Sequence, residues 1–140
     1  MGALGRAWHT PRSFVVDLLP AALYLTVLFW AGLIPLKSLP GPDFELADKV
    51  WHLVAFGGLA ALLSRVLRHL RRSLLESIAA GALISATLGA VLEGLQSLTA
   101  YRSADWADLA ADALGAALAY VVLRWLAKAA GLLGAAPAPG

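Results

Sequence analysis

Cysteine is absent from the 140 residues, and only 14% of them are charged. The first absence excludes disulfides, thiolate nucleophiles and Cys-ligated zinc, and it leaves the redox compartment open. The second, beside 60% hydrophobic residues and a mean hydropathy of +0.74, excludes a water-soluble fold of this size. Signatures of common enzymes are missing as well. There is no Gly-x-Ser-x-Gly, no His-Glu-x-x-His and no phosphate-cradling glycine loop. The spacing Asp108-x-x-x-Asp112 occurs in membrane phosphoalcohol transferases, but the Asp-Gly-x-x-Ala-Arg portion of that motif is not here, nor are the Ser-Gly-His elements of a phosphatidate phosphatase.

What is present is a series of long apolar stretches. A first span is expected over about 14–36, with its uncharged run from Leu18 to Leu36. At roughly 1.5 Å per residue this crosses a hydrocarbon core of about 30 Å. Arg6 and Arg12 precede it as in a signal peptide, but Ala31-Gly32-Leu33-Ile34-Pro35 offers no small-x-small cleavage site, so the segment reads as an uncleaved anchor. Pro40, Gly41 and Pro42 make Lys37 to Asp48 a loop. Further spans follow over about 49–67, 74–98 and 106–133, and the Ala/Pro/Gly tail 134–140 reads as disordered. The expected fold is all-α, an integral membrane four-helix transmembrane bundle forming one domain over 1–133.

Basic residues set the expected orientation, because short loops rich in Lys and Arg stay in the cytoplasm. Arg65, Arg68, Arg71 and Arg72 lie between the second and third spans. With that loop inside, Arg6 and Arg12 before the first span and Arg124 and Lys128 at the end of the fourth fall inside too, which places both termini in the cytoplasm. Lys37, Lys49 and Arg102 remain outside, facing seven acids: Asp43, Glu45, Asp48, Glu93, Asp105, Asp108 and Asp112. The inner basic residues are thus topology signals spread over three segments, and nucleic acid is not expected as a partner despite a net charge of +2. His9 and His69, in the basic segments, are expected to be solvated.

The later spans run short of uncharged length at their outer ends. From Asp112 to Arg124 is roughly 18 Å of helix and from Glu76 to Glu93 roughly 25 Å, less than the hydrocarbon core. Arg124 and Lys128 can snorkel on long stems, but Glu93 and Asp112 cannot, so an interior-facing polar cluster is expected below the outer surface. Helical spacing groups its members: Asp48 with His52, Glu93 with Gln96, and Asp105 with Asp108 and Asp112. Arg102, in the turn between the third and fourth spans, is the expected bridging cation, with Lys49 as the other. Small residues at Gly81, Ser85 and Gly89, and at Ala111, Gly115 and Ala119, would let the helices approach closely beneath the cluster.

At these residues the chain resembles the VanZ-like membrane proteins. Their pattern is Asp-Lys-x-x-His opening one span, Glu-x-x-Gln ending the next, then Arg and spaced acids. Here it reads Asp48-Lys49-Val50-Trp51-His52, Glu93-Gly94-Leu95-Gln96 and Arg102-Ser103-Ala104-Asp105-Trp106-Ala107-Asp108, with Gly115 following, over about Ala47 to Val122. Many relatives have Asn where this chain has Asp112, and only a protonated Asp could mimic it. The resemblance implies a multi-pass protein of the bacterial cytoplasmic (inner) membrane. It also implies a family association with lowered susceptibility to teicoplanin-type glycopeptides, and no known reaction.

Three uses of the cluster stay open on the sequence. It could bind an envelope lipid head group or lipid-linked cell-wall precursor through Lys49, His52, Glu93, Gln96, Arg102, Asp105, Asp108 and Asp112, with Trp51, Tyr101 and Trp106 at the rim. It could modify such a lipid, with His52 as acid or base oriented by Asp48, and Glu93 and Asp108 as further catalytic candidates. It could also be a clasp with no ligand. No cofactor is required by any of these; if Glu93, Asp108, Asp112 and His52 hold an ion, Mg or Mn suits the donors. Membrane lipids are the expected partners, and the oligomeric state is not legible.

Overall fold

The computed structural model describes residues 14–35, 47–70, 73–100 and 105–133. These contain four helices: α1 (Phe14–Leu33), α2 (Ala47–Arg68), α3 (Leu74–Gln96) and α4 (Trp106–Ala129). All four are long and apolar enough to cross a membrane. The all-α four-span architecture expected from the apolar runs is therefore the observed one. Arg102, Tyr101, the 37–46 loop residues and the tail 134–140 lie outside the described residues.

Helix ends follow local chemistry more closely than hydropathy does. The first helix stops at Leu33, three residues short of 36, where Pro35 disfavours helical backbone at the residue before it. Ser73 opens α3 with a capping box, its hydroxyl accepting from the Glu76 amide while the Glu76 carboxylate accepts from the Ser73 amide. The last helix ends at Ala129, not 133, because Gly131 takes φ +70°. Its amide reaches the Lys128 carbonyl and that of Leu132 reaches Ala127, the paired bonds that close a helix through a left-handed residue.

Packing is centred on α2, which lies against all three others, whereas α1 touches α2 and α3 but not α4. Phe56, Leu59 and Leu92 form the buried core, with Tyr24, Leu28 and Leu88 packed onto it. Small residues set the α2–α4 and α2–α3 crossings. A Cβ at Gly57 would come within 3.1 Å of the Gly115 carbonyl oxygen, and Ser85 donates to the Phe56 carbonyl at 2.7 Å. The outward faces carry Leu19, Leu23, Leu83, Val121 and Trp125, all exposed, as a lipid solvent favours.

One expectation is corrected at the basic end. His69 is not simply solvated: its Nε2 lies 2.9 Å from Asp17 Oδ2, and Arg65 donates to Asp17 Oδ1 at 2.6 and 3.0 Å. Phe14 meets the His69 ring edge-on with centroids 5.6 Å apart. Asp17 is only 7% exposed, so this group clamps the start of α1 to the end of α2. Its sequence signal was an acid in the first turn of one span opposite Arg65 and His69, four residues apart at the end of the next.

Candidate functional site

The opposite end gathers side chains from α2, α3 and the start of α4. Asp105 caps α4, its carboxylate accepting from the Ala107 amide at 2.8 Å. Its own amide donates to Glu93 Oε2 at 3.0 Å, which stitches the end of α3 to the start of α4. The second Asp105 oxygen takes a bond from Lys49 Nζ at 2.7 Å. Lys49 also donates to Asp48 at 2.6 Å and Asp108 at 2.5 Å. An ammonium has three hydrogens to give, and here each goes to a carboxylate. Lys49 and the Ala107 amide hold the Asp105 carboxyl below its ordinary pKa. That contribution to stability is present above the ordinary value and is lost as pH falls through the lowered one.

Deeper in the bundle, His52 Nδ1 lies 2.8 Å from Asp112 Oδ1. Its Nε2 is 3.8 Å from Asp108 Oδ2, an electrostatic neighbour beyond hydrogen-bond length. The imidazole stacks over Phe56, with ring planes 16° apart. Asp112 is 0% exposed and Glu93 5%. Among the described residues, Glu93 Oε1 and Asp112 Oδ2 are buried without a hydrogen-bond partner. Such groups are rare, since burial removes their water at a cost of several kcal/mol.

Six of the expected site residues are therefore brought together: Lys49, His52, Glu93, Asp105, Asp108 and Asp112. Two others are used differently. Asp48 does not orient His52; its side chain is about half exposed and bound to Lys49, while Asp112 on the facing helix takes the imidazole. Gln96 donates from Nε2 to the Gly32 carbonyl at 2.9 Å, tying α3 to α1. Lys49 is the bridging cation among the described residues. Trp106, expected at the rim, is 84% exposed, and Trp51 is half-exposed.

A feature with no counterpart in the sequence adjoins this cluster. Between α1, α2 and α3 lies an open cavity of about 400 Å³, lined mainly by apolar groups including Tyr24, Leu28, Trp51, Phe56 and Leu92. His52 and Gln96 are its polar wall residues. Tyr24 bridges α1 to α2 by donating to the Ala55 carbonyl at 2.9 Å.

These features define a four-span membrane bundle with a sunken carboxylate–imidazole group at one end, adjoining an apolar slot. The VanZ/LLP1 family matches residues 7–127, and the chain belongs to that family. No curated protein and no solved structure matches it.

Proposed function

We propose that this protein binds an amphiphile of the bacterial cell envelope, an envelope lipid or lipid-linked precursor, at the outer face of the cytoplasmic membrane. The polar head would reach the Lys49–His52 end, and the chain would lie in the cavity beside α1. His52 supports this: its ring is at once hydrogen-bonded to Asp112 and part of the cavity wall, so polar and apolar compartments meet at one side chain. A volume of about 400 Å³ is within the range of ligand pockets. With Lys49 committed to three carboxylates, the described site offers more acceptors than donors, which favours a head bearing hydroxyl or amine groups over bare phosphate. The glycopeptide association carried by the family would, on this proposal, follow from sequestering an envelope lipid.

Filling the cavity tests this. Ala31 lines it, and Ala31→Phe is expected to lower co-purified lipid, measured by native mass spectrometry of detergent-extracted protein, by about tenfold or more while the melting temperature stays within a few degrees. Unchanged lipid retention would overturn the proposal. A second possibility is a lipid-modifying enzyme, favoured by the His52–Asp112 pair, which has the geometry of a base and its orienting carboxylate. Turnover of the retained lipid on incubation, lost in His52→Gln, would decide for it.

The orientation assumed here, with both termini cytoplasmic, rests on the distribution of basic residues. The absence of cysteine makes the check direct. In intact cells an impermeant maleimide is expected to label Ser38→Cys and spare Ser73→Cys; the reverse pattern would place the site on the cytoplasmic side.

A further inference from the structure

We propose that His52, Glu93 and Asp112, converging from α2, α3 and α4, form a binding site for one divalent transition-metal ion, for which Mn²⁺ fits the donors best. Each side chain offers a ligand atom, and these atoms lie within 4.8 Å of one another. Donors about 2.1 Å from a shared ion stand roughly 3 to 4.2 Å apart, so closure needs side-chain shifts of less than about 1 Å. One pair, His52 Nδ1 and Asp112 Oδ1 at 2.8 Å, is close to the separation of neighbouring octahedral positions.

A second observation points to a ligand independently of this convergence. Glu93 Oε1 and Asp112 Oδ2 are buried and without partners among the described residues, on side chains that are 5% and 0% exposed. The nearby ammonium does not supply them, because Lys49 donates to Asp48, Asp105 and Asp108. Glu93 is also held from behind: its other oxygen accepts from the Asp105 amide, the outer hydrogen bond that ligating carboxylates usually have. Gly89 makes room for the group, since a Cβ there would lie 2.7 Å from Asp112 Oδ2. Two carboxylates favour a hard cation, and the imidazole moves the preference from Mg²⁺ toward Mn²⁺. Three protein donors leave coordination positions for water or for a ligand's head.

The competing account is a proton shared among the same groups with no ion. It is separated by elemental analysis of the full chain, purified in detergent without chelator from manganese-supplemented cells. One Mn per chain is expected. Adding MnCl₂ to chelated protein is expected to raise its melting temperature more than MgCl₂ does. Glu93→Gln and Asp112→Asn should each weaken Mn²⁺ binding by at least about tenfold, while Asp17→Asn at the opposite end leaves it unchanged. Should those variants fail to fold, the parent alone suffices: the spin echo of its bound Mn²⁺ should show coupling to an imidazole ¹⁴N. Substoichiometric metal with no thermal shift, absence of the ¹⁴N coupling, or an affinity in both carboxylate variants equal to the parent's would overturn the site. Lipid retention is read separately, by native mass spectrometry of the chelated protein, so that failure of the metal site and failure of the amphiphile proposal remain distinguishable.

Discussion

Lys49→Met is expected to destabilise the bundle by about 2 kcal/mol, because removing one partner of a partly buried ion pair leaves the other under-compensated, at less than the cost of breaking a fully buried pair. Lys49 Nζ is the donor shared by Asp48, Asp105 and Asp108. Asp48 and Asp105 are half-exposed and can turn to water, so most of the effect falls on Asp108, whose side chain is 15% exposed. Methionine keeps the volume and removes only the charge and donors. The double variant Lys49→Met/Asp108→Asn should therefore recover about 1 kcal/mol or more of the loss. Thermal or denaturant unfolding in detergent measures both, and additive losses would mean that Lys49 acts through something other than Asp108.

Gly115→Ala should act through the backbone and cost about 3 kcal/mol, the upper end for inserting a methyl into a packed contact. The added Cβ would fall onto the Leu53 carbonyl oxygen and 2.9 Å from its carbon. No rotamer relieves an overlap with a main-chain carbonyl, so α4 must withdraw from α2. His52 precedes Leu53, and Asp112 lies one turn before Gly115 on the same face of α4. Separation of the helices thus pulls apart the 2.8 Å pair between His52 and Asp112. The expected result is lower stability together with weakened ligand retention, whereas Gly94→Ala, whose Cβ would meet nothing within 4 Å, should leave both unchanged.

Hydropathy made the four helices legible, because a run that crosses a membrane must be apolar around most of its circumference. Burial of Glu93 and Asp112 was legible from length, as acids too short to snorkel were placed where the spans ran out of uncharged residues. Pairings were less so. Spacing along one helix put Asp48 beside His52, but spacing cannot say that Asp112 on another helix reaches the imidazole first. Gln96 shared a face with Glu93 by count, yet the free Gly32 carbonyl at the end of α1 provided a partner on a different side. Asp17 stands just before the uncharged run that begins at Leu18, and nothing local marks its partners, because Arg65 and His69 lie about fifty residues away in sequence. The slot beside α1 is a property of the distance between helices, and no local pattern encodes it.

Three polar fastenings along α1 govern how that helix can move. Asp17 is gripped by Arg65 and His69, Tyr24 bonds the Ala55 carbonyl, and Gly32 receives the Gln96 amide. They are spread over roughly 22 Å of helix. Axial sliding, in the manner of a piston, would break all three at once. Rocking sideways into the bilayer, with either end as the pivot, breaks fewer and widens the slot on the lipid side. On the amphiphile proposal, a plank pinned in this way would admit and release its occupant through the plane of the membrane, without passage through water.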